Sequence, residues 1–309
     1  MEEMYAPTAF VFGPYERQSQ SARLMLARRL RKFSNQLSSM SVELGTIDLQ
    51  MAGEVCVASY PYQLNLFTTS DAGRVHLHCP YSRATQVFQR DSSGSWRILH
   101  EHLSLGEPGK KTVIPPGTLS ATNGKPAADA KPPGTQAPLR VLDTLAASGM
   151  KPVSNEEVKR AIHQAWDALE RKSKEQLESS FLPTAIFFAT DARRSEPARL
   201  AITRRTREFF NAGSSARGDL GSIDVQVVGS SLAIAWHPFQ FHIVKQLTNG
   251  KRIKTETPLC RASVVLVRDE DGALRILHEH QSAVSVGHSE EIGAARPATG
   301  EPSSAGMTR

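Results

Sequence analysis

Four histidines stand in two identical settings, Arg97-Ile98-Leu99-His100-Glu101-His102 and Arg275-Ile276-Leu277-His278-Glu279-His280. Alternate residues of a strand project to one side, so each His-x-His pair presents two imidazoles to one face. Imidazole moves protons near neutral pH and ligates metals, so the motif admits acid–base catalysis, metal binding or the polar lip of a pocket. A zinc or iron site needs a third ligand, and Glu101 and Glu279 fall on the opposite face. No metal and no other cofactor is therefore expected.

If the tetrad Asp91-Ser92-Ser93-Gly94 closes a symmetric hairpin, His102 faces Arg83 and His100 faces Thr85. The same register sets His280 opposite Arg261 and His278 opposite Ser263. One strand face then runs from apolar (Trp96, Ile98 and Val87; Leu274, Ile276 and Val265) to polar, which suits a pocket with an anion-attracting mouth. The expected ligand-binding set is Arg83, His100, His102, Arg261, Ser263, His278, His280 and Trp236. The candidates for acid–base catalysis are His278, His280, His100 and His102. The plainer account is that these imidazoles bond to neighbouring groups and hold the hairpin.

The recurrence extends well beyond six residues. Pro7-Thr8-Ala9 matches Pro183-Thr184-Ala185, Ala22-Arg23-Leu24 matches Ala198-Arg199-Leu200, and Gly45-Thr46-Ile47-Asp48 matches Gly221-Ser222-Ile223-Asp224. Over this stretch roughly two in five positions are identical, so the chain is two copies of one domain. In the first, Thr8–Phe12 reads as a strand, Ser19–Asn35 as an amphipathic helix, and Ile47–Met51, Val55–Leu66, Arg83–Arg90 and Ser95–Leu103 as strands. The second has the same order, with strands Thr184–Ala189, Ile223–Val228, Leu232–Gln246, Lys254–Arg268 and Ala273–Val284 and helix Pro197–Asn211. Ahead of these it carries two further helices, one capped at Ser154 with an apolar stripe Val158, Ile162, Ala165, Trp166 and Leu169, then Lys174–Phe181.

By the same alignment Met1 falls at Leu177, so the first copy lacks its first helix. Either the sequence starts at an internal methionine of a longer frame, or another segment, such as a Leu139–Ala147 helix, fills the gap. The expected divisions are 1–105 for the first domain, 106–152 for a linker rich in Pro, Gly and Ala, 153–286 for the second domain, and 287–309 for a disordered tail.

Apolar content of 39% and charged content of 22% fit a globular chain with a core in each half. The net charge of +6 is concentrated in Arg28-Arg29-Leu30-Arg31 and Arg204-Arg205-Thr206-Arg207 and reads as solvated helix faces, so no nucleic acid is expected as partner. No apolar run is long enough for a membrane span and the N-terminus has no signal pattern, so no membrane is expected either. Cys56, Cys79 and Cys260 occupy no equivalent positions in the copies and read as reduced thiols of a cytoplasmic protein.

Helix, helix, strand, helix and then long antiparallel strands, closing on Trp96-x-x-x-His100-x-His102-x-Ser104, resembles the nuclear transport factor 2-like superfamily, which includes the SnoaL-like and ketosteroid isomerase families. The last hairpin is similar to that of the calcium/calmodulin-dependent protein kinase II association domain. The resemblance implies an α+β fold: two tandem cone-shaped domains, each a curved antiparallel sheet wrapped around N-terminal helices, usually paired through the sheet's outer face. It does not carry the site residues over. Where the ketosteroid base is implied this sequence has Gly13 and Ala189, with Trp166 near the position of the acid. Where the association domain has pocket arginines it has Gln86, Val264, Leu103 and Gln281.

Two functions stay open. One is a non-catalytic module that binds a small apolar or anionic molecule and pairs its domains, within the chain or as a homo-oligomer. The other is a SnoaL-like isomerase, cyclase or hydratase acting on a polyketide- or steroid-like substrate with a histidine acid–base group. The aromatic run Trp236, His237, Phe239 and Phe241, matched by Tyr60, Pro61, Tyr62 and Leu64, reads as core or pairing face ahead of ligand stacking.

Overall fold

A computed structural model of the chain describes residues 2–14, 16, 18–70, 73–105, 112–114, 140–142, 151–190, 195–209, 214–247 and 249–284. The first copy comprises β1 (Tyr5–Phe12), β2 (Gln20–Ser21), α1 (Ala22–Gln36), β3 (Leu37–Leu44), β4 (Asp48–Ala52), β5 (Val55–Ser70), β6 (Gly73–Arg90) and β7 (Trp96–Ser104). Two short strands follow, β8 (Thr112–Ile114) and β9 (Arg140–Leu142). The second copy comprises α2 (Asn155–Glu170), α3 (Lys174–Ser179), β10 (Phe181–Phe188), β11 (Glu196–Pro197), α4 (Ala198–Phe209), β12 (Ser215–Leu220), β13 (Asp224–Val228), β14 (Leu232–Gln246), β15 (Arg252–Glu256), β16 (Cys260–Arg268) and β17 (Leu274–Ala283).

The two sheets repeat one topology. The first runs β2-β1-β7-β6-β5-β4-β9, with β3 also on β5 and β8 on β6; the second runs β11-β10-β17-β16-β14-β12, with β13 and β15 also on β14. Only β1 with β7, β10 with β17, and β4 with β9 pair in parallel among the described residues. This is the α+β arrangement of two tandem cones, with helices on the inner face of a curved sheet. In the second cone, Ser154 accepts the Glu157 amide and starts α2. Its stripe of Val158, Ile162, Ala165, Trp166 and Leu169 is buried against the sheet.

Several elements differ from the sequence reading. Strand β3 follows α1 directly and β12 is the next described strand after α4; the polar alternation of Ser215–Leu220 concealed the second. The span Lys254–Arg268 divides into β15 and β16. Residues 140–142, expected in a short helix, are instead strand β9 against Gln50–Ala52; residues 143–147 of that helix lie outside the described residues, as does the tail. Two stretches of the expected linker, 112–114 and 140–142, are thus strands on the first sheet.

The register of the last hairpin also differs, by two residues. Arg90 pairs with Trp96, because the loop holds five residues. Asp91 accepts the amides of Ser93 and Ser95, and Gly94 turns with φ +85°. One strand then bulges: Phe88 faces Ile98 but Val87 faces His100, leaving Leu99 as the extra residue. The second hairpin bulges at Leu277 in the same way, with Leu266 facing Ile276 and Val265 facing His278.

That bulge sets which side chains share a face. Ile276 packs into the second cone's interior, whereas Leu277 joins a separate cluster in which the two copies meet. This second cluster takes Phe12, Val55, Val57, Val87 and Leu99 from one sheet and Leu232, Ile234, Trp236, Val265, Val267 and Leu277 from the other. The outer faces of the sheets therefore pack directly on one another. Replacing Leu277, fully buried there, by alanine is expected to cost roughly 2–5 kcal/mol of unfolding free energy, measured by urea denaturation.

Candidate functional site

The four histidines lie in this sheet-to-sheet contact, each fully buried at 0% exposure. Paired bonds cross the contact with a near-twofold repetition. The Thr85 hydroxyl bridges His278 Nε2 (3.1 Å) and His280 Nδ1 (2.9 Å), while the Ser263 hydroxyl bridges His100 Nε2 (2.8 Å) and His102 Nδ1 (2.9 Å). Ser104 meets His280 Nε2 at 3.2 Å, and Ser282 meets His102 Nε2 at 2.8 Å. At the centre the His102 and His280 rings stack, 3.9 Å between centroids.

The arginines close the pattern. Arg83 donates to Ser104 Oγ and to the Ala189 and Gln281 carbonyls; Arg261 donates to Ser282 Oγ and to the Gly13, Glu16 and Leu103 carbonyls. Each guanidinium also lies over a phenylalanine ring at the end of the opposite copy's first strand, Phe188 for Arg83 and Phe12 for Arg261. Trp236 lies in the same contact, stacked on His100 at 5.3 Å and bonded to Asp224.

Proton positions along one ladder follow from its ends. The Gln50 amide nitrogen donates to the Thr184 and Leu277 carbonyls, so its oxygen faces His278 and must accept from Nδ1. His278 Nε2 then accepts from Thr85, Thr85 accepts from His280 Nδ1, and His280 Nε2 accepts from Ser104, which Arg83 supplies with a donor. Every imidazole in that ladder is neutral, because a second ring proton would strand the hydrogen of the facing hydroxyl and place a charge on a fully buried ring. The second ladder runs Arg261, Ser282, His102, Ser263, His100 and ends at His100 Nδ1, which has no hydrogen-bond partner in the structure.

All eight residues expected to bind ligand thus meet in one place, the contact between the copies, and none of them lines the cavity of the second cone. Alternation placed the histidines and the glutamates on opposite faces as the structure does. The pocket, however, lies on the other side, where Glu279 projects. The cavity of about 50 Å³ is lined by Trp166, Leu169, Phe181, Phe187, Ala201, Ile202, Phe241, Arg205, Glu279 and Gln281. The Arg205 guanidinium lies over Phe187, 4.6 Å from its centroid, and donates to Gln281 Oε1 at 3.0 Å; Gln281 donates to Glu279. Burial pushes the Glu279 carboxyl above its ordinary range, opposed by the Gln281 bond and the Arg205 charge.

The equivalent carboxylate of the first copy is held differently. Glu101 accepts from Tyr5 (3.0 Å) and Gln86 (2.7 Å), and Gln86 accepts in turn from Tyr60. Burial and the Glu101 charge push the Tyr60 hydroxyl up to about 12. Sequence reasoning passed over both glutamates because it chose the histidine face as the lining one. A usable signal was present in Tyr5, Tyr60 and Phe181, whose alternation marks the inner face. The described residues contain no group of His, Cys, Asp and Glu arranged to hold a metal, and no helix among them is long and apolar enough to cross a membrane.

Paired domains with helices inside each curved sheet define a class, and the sequence confirms it. The chain belongs to the SnoaL-like domain family, whose model matches residues 1–108 and 158–286. Solved structures similar to it include a putative calcium/calmodulin-dependent protein kinase II association domain from Xanthomonas campestris, with 17% identity, 44% of this chain and 91% of that one covered, and a TM-score of 0.37. A nuclear transport factor 2-like superfamily protein from Salmonella enterica is 20% identical over 44% of this chain and 94% of its own, with a TM-score of 0.37. ActVI-ORFA from Streptomyces coelicolor is 18% identical over 41% of this chain and 94% of its own, with a TM-score of 0.35. Among curated proteins none matches the chain.

Burial holds all four imidazoles below their ordinary value of 6.5, His100 and His278 at about 3, with Arg83 and Arg261 adding repulsion at His102 and His280. A depressed value means that the unfolded chain binds more protons as pH falls below 6.5. The stabilisation is complete above that pH and is lost on descending toward 3, by up to about 1.4 kcal/mol per pH unit for each histidine. Urea midpoints measured from pH 7.5 to 4.5 should therefore fall steeply below 6.5. In Thr85→Val, two imidazoles lose a partner at once, which is expected to cost roughly 1–3 kcal/mol for each group left unsatisfied.

Proposed function

We propose that this is a non-catalytic SnoaL-like protein in which each domain serves as the other's pairing partner and the second cone holds a small molecule. One observation carries the reading: each of the four candidate imidazoles, His100, His102, His278 and His280, is sealed at 0% exposure and bonded across the contact. The histidines thereby favour assembly over chemistry, and ligand capacity falls to the aromatic cavity around Glu279. A cavity of about 50 Å³ with one carboxyl, one amide and one guanidinium suits a compact, mostly apolar ligand with a single polar end, in keeping with the expected small apolar or anionic molecule. Three buried free cysteines fit a reducing compartment, and a cytoplasmic location is part of the proposal.

A second reading rests on Glu279 itself. A carboxyl raised by burial in an apolar cavity is suited to proton transfer, as a SnoaL-like isomerase, cyclase or hydratase on a polyketide- or steroid-like substrate would require. The histidine-based version of that reading has less support, because no imidazole reaches the cavity.

Native mass spectrometry of the purified chain tests the first reading. A small-molecule adduct is expected on the wild type and not on Ala201→Leu, which fills the cavity; an adduct equally present on both would overturn it. Glu279→Gln separates the two readings. Binding alone predicts a retained adduct and no turnover in either protein, whereas proton transfer predicts turnover by the wild type that the variant loses by roughly a hundredfold or more.

A further inference from the structure

The β12–β14 part of the second sheet's inner face has helix α2 over it; the matching β3–β5 part of the first has none among the described residues, α1 packing on β1 instead. In the second copy Ala216, Gly218 and Leu220 of β12 pair with Ile243, Phe241 and Phe239 of β14. Trp166 of α2 lies on those rings, 4.9 Å from Phe241 and 5.1 Å from Phe239, and Glu170 accepts the Gly218 amide. In the first copy the matching positions are Met40, Val42 and Leu44 of β3, paired with Leu66, Leu64 and Tyr62 of β5. Met40, Val42 and Leu44 are 51%, 46% and 52% exposed. Three large apolar side chains in a row on one strand face, beside three more on its neighbour, form a contiguous patch of the kind that marks a contact surface.

We propose that this face docks an amphipathic helix of another polypeptide, with an aliphatic residue where α2 carries Trp166. The duplicate supplies the template: on the same strands, in the same register, the occupant is a helix whose apolar residues recur as at Val158, Ile162, Ala165, Trp166 and Leu169. It also supplies the specificity. A Cβ built on Gly218 would stand 2.4 Å from the Trp166 ring, so glycine is what admits the indole. Val42 occupies that position in the first copy and bars an indole, while a leucine or isoleucine is short enough to pack beside it. The second cone therefore cannot lend its own helix type unchanged, and the two faces select different helices.

The test uses the full chain and two labelled peptides of residues 153–170, one native and one with Trp166→Leu, followed by fluorescence anisotropy. The leucine peptide is expected to bind at least tenfold more tightly than the native one. Val42→Glu, at an exposed position, should weaken it at least tenfold, and Val42→Gly should shift the preference toward the native peptide. Binding of neither peptide, or binding that Val42→Glu leaves unchanged, overturns the proposal. So does a dimer in light scattering that Val42→Glu splits, since the occupant would then be a second copy of this chain.

Discussion

Neutral imidazole between two hydroxyls is the interaction on which the arrangement of the molecule depends. A strand that ends in His-x-His-x-Ser on its outer face cannot leave those groups facing apolar surface, because a buried polar group without a partner is costly. The other copy supplies the complement: Thr85 serves His278 and His280, and Ser263 serves His100 and His102. The polar centre is ringed by apolar contacts such as Val87, Val265, Leu99 and Leu277, which keep water out and make the hydrogen bonds count for more. Pairing and fold are therefore coupled, and duplication makes the complement available within a single chain.

The symmetry is broken where the copies have diverged, and the breaks are informative. Gln50 finishes one ladder, while His100 finishes the other against the face of Trp236; the strand register makes Ser59, not the Tyr60 matched from sequence, its counterpart in the first copy. Inside the cones the divergence is greater. Glu279 lines the cavity with Phe181 and Phe187 and pairs with Val264, whereas Glu101 sits among Tyr5, Gln86 and Arg29. One fold thus carries two chemically different interiors, and the apolar one encloses the cavity.

Much of the architecture was legible because it rests on repetition and period. The RILHEH recurrence fixed the duplication, and the apolar stripe from Val158 to Leu169 fixed α2. Period-two alternation separated the histidines from the glutamates correctly. It could not say which of the two faces is concave, since curvature comes from bulges, and a bulge such as that at Leu277 leaves no mark in a run of apolar residues. The five-residue hairpin loop and the bulge together moved the register by two, which preserved the facing of Thr85 and the histidines while changing every partner. The strand Ser215–Leu220 stayed hidden because its outer residues are polar and two of its three inner ones are small, one of them a glycine that admits an indole.

Nitrogen-15 chemical shifts of the histidine side chains test the central claim most directly, because they report both tautomer and charge. The account predicts that at pH 7 His102, His278 and His280 are neutral with the proton on Nδ1, and that all four buried rings remain neutral until the fold is lost. Any of these four rings titrating near pH 6.5 in the folded chain, or carrying its proton on Nε2 at His278 or His280, would contradict it.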